Sequence, residues 1–160
     1  MKYANIIYND LVNTDGVSLT FFVQGCGHHC RGCFSKNTWD FNGGKEFTED
    51  IKTQLEYVIK NYNYDYLCFI GGEPLDNIEL CKIVMNIFNK ANKYPKIWIY
   101  TGYTMDEICS DFIKNNFIQT ADILITGRFE EDKYDPTLLF KGSKNQKRWI
   151  KNEQIWEVVD

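Results

Sequence analysis

Residues 26–33 read Cys-Gly-His-His-Cys-Arg-Gly-Cys, which places three thiols in eight residues at the spacing C-x3-C-x2-C. A thiolate is both a nucleophile and a soft metal ligand, so this density predicts metal or redox chemistry. Three chemistries suit the loop. Three thiolates can grip three corners of an iron–sulfur cubane and leave one iron open to another ligand. Cys26, Cys30 and Cys33 with His28 or His29 could close a zinc tetrahedron. That arrangement is cramped, because structural zinc sites usually draw on two separated knuckles. Cys30-Arg31-Gly32-Cys33 also has the form of a thioredoxin-like pair, a reading that leaves Cys26 without a role. The remaining cysteines, Cys68, Cys81 and Cys109, are solitary. The first falls in a predicted strand and the other two in predicted helices, so none supplies an evident fourth ligand.

Three further segments carry glycine beside polar residues: Gly71-Gly72-Glu73-Pro74, Thr101-Gly102 and Gly127-Arg128. A backbone without Cβ can approach a ligand closely, although Gly-Gly before Pro also makes an ordinary strand-to-helix turn. His28 and His29 read as local hydrogen-bonding or orienting groups. No Ser-His-Asp set or paired carboxylates stand out, so no catalytic residue is expected beyond the cysteines.

The elements that must position these residues alternate in type. Residues 17–24 read as a strand with Val17, Leu19, Phe21 and Val23 on one face. Residues 25–44 have no period and read as a long loop, which in a compact domain signals function. A helix over 48–60 carries Ile51, Leu55, Val58 and Ile59 on one stripe, capped by Thr48. Residues 66–70, 97–100 and 123–126 read as further strands, and 155–159 as a final one. A helix over 76–89 carries Leu80, Ile83, Val84, Ile87 and Phe88, with Asp76 and Glu79 at capping-box spacing. Thr104 and Glu107 form a second box, opening a helix with Ile108, Phe112 and Ile113. This order predicts an α/β fold: an open, partial (β/α) barrel with a mostly parallel sheet, the cysteine loop following the first strand. A full barrel needs more chain, typically ~250 residues. The glycine segments would then gather at the carboxyl ends of the strands, around one mouth. Residues 1–160 are expected to form a single domain.

The formal net charge of −4 disfavours a basic nucleic-acid module. No apolar run approaches the ~20 residues that span a bilayer, and residues 1–10 do not resemble a secretory signal. The expectation is a cytoplasmic protein that binds neither membrane nor nucleic acid, with reduced thiols and no disulfide framework. Lys141, Lys144, Lys147 and Arg148 read as a solvated face that could also steer an acidic partner.

Taken together, the motifs resemble the radical S-adenosylmethionine superfamily, whose signature is C-x3-C-x2-C after the first strand. Within it, residues 25–40 (GCGHHCRGCFSKNTWD), 71–75 (GGEPL), 100–104 (YTGYT) and 142–146 (GSKNQ) are similar to the activating proteins of anaerobic (class III) ribonucleoside-triphosphate reductase. Motif order and length agree, and the resemblance spans nearly the whole chain. It implies one [4Fe-4S] cluster on Cys26, Cys30 and Cys33, with S-adenosyl-L-methionine chelating the fourth iron. Gly71, Gly72 and Glu73 would hold the methionyl amino group, mainly through backbone carbonyls. Gly32, Cys33 and Phe34 would complete the cofactor contacts. Gly32 stands where many superfamily members carry an aromatic, and Phe34 is the candidate for the adenine contact. Trp39 and Phe41 would pack under the loop. Thr126 replaces an expected acid, and Lys141 an expected Arg. The implied activity is reductive cleavage of S-adenosylmethionine to a 5′-deoxyadenosyl radical, which takes a hydrogen from a glycine of the reductase large subunit. A flavodoxin-type protein would supply the electron. The rival readings are another radical S-adenosylmethionine enzyme and a non-enzymatic zinc-binding interaction module.

Overall fold

Residues 1–160 are described by a computed structural model. The strands are β1 (Lys2–Asp10), β2 (Ser18–Val23), β3 (Lys45–Glu46), β4 (Tyr66–Gly71), β5 (Lys96–Thr101), β6 (Ile123–Thr126), β7 (Lys147–Asn152) and β8 (Ile155–Val158). The helices are α1 (Glu49–Asn61), α2 (Ile78–Lys90), α3 (Met105–Ser110) and α4 (Phe112–Ile118). All eight strands share one open sheet in the order β3-β1-β2-β4-β5-β6-β7-β8.

The sheet is mixed, which corrects the mostly parallel expectation. The central pairs β2/β4, β4/β5 and β5/β6 are parallel. The pairs β1/β2, β1/β3, β6/β7 and β7/β8 are antiparallel. Parallel neighbours require a long crossover, here helical, whereas short connections can only reverse the chain. No helix lies between β1 and β2 or between β7 and β8. The cysteine loop therefore follows the second strand, because β1 precedes the one read from sequence. β1 and β7 are both too polar, KYANIIYND and KRWIKN, to announce themselves as strands.

Three helix starts were legible to different degrees. The Thr48 hydroxyl accepts from the Ile51 amide at 3.4 Å, and α1 buries Leu55 and Ile59. The Asp76–Glu79 box does not form. Pro74 opens a short 3-10 turn over Pro74–Asp76, so α2 begins two residues later. Asp76 instead accepts from the Tyr103 hydroxyl at 2.7 Å, and Glu79 pairs with Lys82. The Thr104–Glu107 box does form. The helix it opens is broken at Asp111, whose carboxylate accepts from the amides of Ile113 and Lys114 and starts α4. The break re-phases the apolar stripe. Phe112 and Ile113, read with Ile108 as the apolar residues of one helix, are 85% and 65% exposed, and Phe117 and Ile118 are buried instead.

Strand side chains alternate between the two faces. Leu67 and Phe69 of β4 join Leu19, Phe21, Val23, Ile99 and Leu124 in a layer packed on α1 and α2 residues such as Leu55, Ile59, Val84 and Phe88. The opposite face carries Cys68, Trp98, Ile123 and Ile125. There Trp98 meets Phe140 edge-on at 4.9 Å.

Candidate functional site

Because β2, β4, β5 and β6 are parallel, their carboxyl ends share one rim. The segments leaving them line a single hollow of about 130 Å³: Cys26, His28, Cys30 and Cys33 after β2, Gly71 to Glu73 at β4, Thr101 and Gly102 at β5, and Gly127 after β6. The four segments singled out from sequence thus meet at one mouth. Arg128 is the exception. It turns away to pair with both carboxylate oxygens of Glu107 at 2.9 and 3.0 Å. A wider hollow of about 610 Å³ adjoins this one, sharing Cys33, Gly71, Tyr100 and Phe129 and adding Phe34 and Phe140. A further hollow, of about 730 Å³, lies elsewhere, between Met1, Phe41 and the start of α2, and contains none of the cysteines.

The cysteine loop is laced to its surroundings by backbone. Gly25 adopts φ +103°, and its amide donates to the Thr38 carbonyl at 2.7 Å. A Cβ there would lie 2.1 Å from the Phe41 ring. The Cys26 amide donates to the Trp39 carbonyl, and the Glu73 amide to the Gly25 carbonyl at 2.8 Å. Gly72 sits so close that a Cβ would lie 2.4 Å from the Gly25 carbonyl oxygen. The second half of the loop turns at Gly32, φ +73°, where a Cβ would meet the Glu131 carboxylate at 2.8 Å. His29 lies against Trp39 with ring centres 4.7 Å apart. Trp39 and Phe41 therefore both support the loop, although Phe41 remains half exposed.

Cys26, Cys30 and Cys33 are free and half-buried. Burial pushes the Cys26 and Cys30 thiols up from their ordinary pKa, because the thiolate is poorly solvated there. The Cys33 sulfur accepts from the Ser35 amide at 3.3 Å. No three His, Cys, Asp or Glu side chains converge closely enough to hold a single metal ion. Phe34 is 73% exposed and leans on Phe129 and Tyr134, at 5.2 and 5.7 Å between ring centres.

Glu73 is where the sequence was least informative. Its carboxylate is 1% exposed. Oε1 accepts from the Leu75 amide and the Thr101 hydroxyl at 2.9 and 2.8 Å. Oε2 accepts from the Gly102 amide at 2.7 Å and faces His28 Nε2 at 2.9 Å. A glutamate after Gly-Gly and a Thr-Gly pair at the next strand end were visible. That β4 and β5 lie side by side was not, and only this adjacency brings the groups together.

The rim is closed by residues 142–146. Gln146 Oε1 accepts from the amides of Gly142 and Ser143, and its Nε2 donates to the Gly127 carbonyl at 2.9 Å. Asn145 donates to the Arg128 carbonyl. Thr126 accepts from Trp149 Nε1 at 2.9 Å, so its hydroxyl ties β6 to β7. The basic run is divided, with Lys144 and Lys147 exposed and Lys141 and Arg148 more enclosed. Lys141 and Arg148 pair with Asp160 at 3.1 and 3.2 Å, and Lys144 pairs with Asp135 at 3.5 Å.

A thiol loop at the rim of an open α/β sheet is the arrangement of an iron–sulfur domain, and a family model described as "4Fe-4S single cluster domain" matches residues 12–149. The chain belongs to the family of anaerobic ribonucleoside-triphosphate reductase-activating proteins. It is 35% identical to the one from Pasteurella multocida (strain Pm70), over 91% of this chain and 95% of that relative. It is 34% identical to the one from Escherichia coli (strain K12), over 91% and 96%. The relative from Enterobacteria phage T4 is 32% identical, over 98% and 99%. No helix is long and apolar enough to cross a membrane.

Proposed function

We propose that this protein is an iron–sulfur activase that generates a glycyl radical on an anaerobic ribonucleoside-triphosphate reductase. The observation that carries the reading is the meeting of all three loop thiols with the Gly71-Gly72 strand end in one hollow. Cys26, Cys30 and Cys33 are the ligands of one [4Fe-4S] cluster. They face the hollow from separate loop positions, which suits a centre with several irons better than one shared ion. Gly71, Gly72 and Glu73 hold S-adenosyl-L-methionine by backbone groups, while Gly32, Cys33 and Phe34 flank it on the other side.

When bound, the cluster and S-adenosylmethionine supply one-electron cleavage of a sulfonium, and hence a carbon radical able to take hydrogen from a glycine Cα. The chain's own residues position and shield. The Gly25–Glu73 and Gly72–Val23 backbone hydrogen bonds set the thiol loop against the strand end. Phe34, Phe129 and Phe140 line the adjoining hollow with apolar surface and limit water near a reactive carbon. The radical chemistry requires no proton transfer by the chain's own residues, and the His28–Glu73 pair in the hollow is read as structural. We further read residues 1–160 as one domain, supported by the single sheet, and place it in the reducing cytoplasm, supported by six free cysteines. A flavodoxin-type protein is the electron donor.

The test is anaerobic reconstitution with iron and sulfide, followed by reduction with a chemical one-electron reductant in the presence of S-adenosylmethionine and a class III reductase, recording the reductase's electron paramagnetic resonance. A glycyl-radical doublet that is lost in Cys30→Ala is expected. Cleavage of S-adenosylmethionine without the doublet would remove the reductase as partner. One zinc and no sulfide would remove the radical reading.

A further inference from the structure

We propose that His28 is a positioning residue: through the Glu73 carboxylate it clamps the thiol loop to the strand ends that face it. The inference deepens the activase reading and rests on it. His28 lies midway between Cys26 and Cys30, and its side chain is 7% exposed. Such burial of an imidazole inside a loop requires a partner, and Glu73 provides it at 2.9 Å. Glu73 also accepts from Thr101 and Gly102, so one buried carboxylate joins the β2 loop, the end of β4 and the end of β5.

The ring is held on its faces as well. It stands edge-on to Tyr103 with ring centres 4.5 Å apart. Gly102 lies beneath it, where a Cβ would come within 2.4 Å of the His28 ring and meet nothing else as closely. Tyr103 is itself fixed, its amide donating to the Thr101 hydroxyl and its phenol to Asp76. Three sequence features with separate appearances, the His in the cysteine loop, the Glu after Gly-Gly and the Gly of Thr-Gly-Tyr, are thus one device. Its consequence is geometric. The thiols and the Gly71-Gly72 backbone belong to different segments, and the Glu73 carboxylate on His28 adds a side-chain tie between them to the Glu73–Gly25 backbone bond. A hydrogen bond to a charged group is among the strong ones, and a partner left buried without it is costly.

The test separates this role from general stability. His28→Phe keeps a ring for Tyr103 and removes the bond to Glu73. His28→Gln keeps a donor at a similar reach. In the full-length, cluster-free chain under anaerobic conditions, iodoacetamide labelling is followed residue by residue by mass spectrometry. Cys26 and Cys30 are expected to label about tenfold faster in His28→Phe, the scale of one lost charged hydrogen bond. They should stay within about twofold of wild type in His28→Gln on the same basis, with exposed Cys109 unchanged in both. In the reconstituted enzyme, His28→Phe should raise KM for S-adenosylmethionine, and His28→Gln should restore it. Wild-type labelling in His28→Phe, or equal acceleration in both variants, overturns the proposal.

Should His28→Phe not fold, Gly102→Ala reads the same clamp, because its methyl displaces the ring. It should accelerate labelling alone and add nothing in a His28→Ala background. Wild-type labelling in Gly102→Ala overturns the proposal. Thiol labelling does not depend on radical chemistry. Failure of the clamp therefore leaves the glycyl-radical test standing, and absence of a glycyl radical leaves the labelling result standing.

Discussion

Gly72 lines the candidate site and Gly27 adjoins Cys26 within the thiol loop, yet they make opposite demands. At Gly72 an added Cβ would meet the Gly25 carbonyl oxygen at 2.4 Å, with the Gly25 carbon and nitrogen at 3.0 Å. All three are backbone, fixed by the Glu73–Gly25 hydrogen bond, so they cannot swing aside as a side chain would. Gly72→Ala is expected to cost about 1–3 kcal/mol, the usual toll of overpacking, and to lower the urea midpoint without changing the denaturant slope. At Gly27 the nearest atom to an added Cβ is an Asp76 carboxylate oxygen at 3.9 Å. Gly27→Ala should therefore fall within about 0.5 kcal/mol of wild type in the same experiment. The sequence marks Gly72 as part of Gly71-Gly72-Glu73-Pro74 but not what crowds it, because the close approach comes from a segment some fifty positions away.

At the scale of elements, α3 shows how local chemistry sets a helix and how a distant partner adds to it. The Thr104–Glu107 box is short-range and was legible from spacing alone. Thr104→Ala is expected to destabilise by about 1 kcal/mol, measured by urea unfolding, through loss of the cap to the Glu107 amide. Arg128, which no local pattern connects to α3, holds Glu107 at about 2, below its ordinary 4.5, mainly by direct hydrogen bonding. A carboxyl with a depressed folded-state pKa stabilises the fold above its unfolded pKa, and that contribution fades as pH falls toward the folded value. The Glu107–Arg128 contribution should thus be complete above about pH 5 and vanish between there and about pH 2. Both side chains are about two-fifths exposed, so water and salt hold it to about 1 kcal/mol or less. Glu107→Gln should lower the urea midpoint at pH 6, and the gap to wild type should close near pH 2. A gap independent of pH would deny the ion pair its role. The Asp76–Glu79 pair had the same spacing as Thr104–Glu107 and formed nothing, because Pro74 began a 3-10 turn first and Tyr103 engaged Asp76.

Across the whole molecule, the rim depends on contacts between segments that sequence separates widely. Asp160 holds Lys141 and Arg148, one in the segment before the Gly142–Gln146 turn and one in β7. The Lys141 side chain is only 8% exposed, so removal of its partner leaves a poorly hydrated charge. Asp160→Asn is expected to speed amide hydrogen exchange over residues 138–146 while leaving β4 and β5 protected, as seen by mass spectrometry. Unchanged exchange would show that Gln146 and Ser143 hold the segment without help. Of the basic run read as a solvated face, Lys144 and Lys147 are exposed, whereas Lys141 and Arg148 fasten the rim through Asp160.

What the sequence determined by itself was local. The thiol spacing, the Thr48 and Thr104 caps, the apolar stripes of α1 and α2 and the central strands all depend on residues a few positions apart, where spacing translates directly into geometry. The placing of four glycine- or cysteine-bearing segments at strand ends followed from alternation alone. Tertiary structure decided what depends on neighbours distant in the chain. It made polar β1 and β7 into strands by pairing them with buried β2 and β6, and so turned the sheet mixed. It cut one expected helix at Asp111 and left Phe112 and Ile113 in water. It also gave Glu73 four partners from three segments, an arrangement no spacing rule encodes, because a buried carboxylate takes whichever donors the fold brings within hydrogen-bond reach.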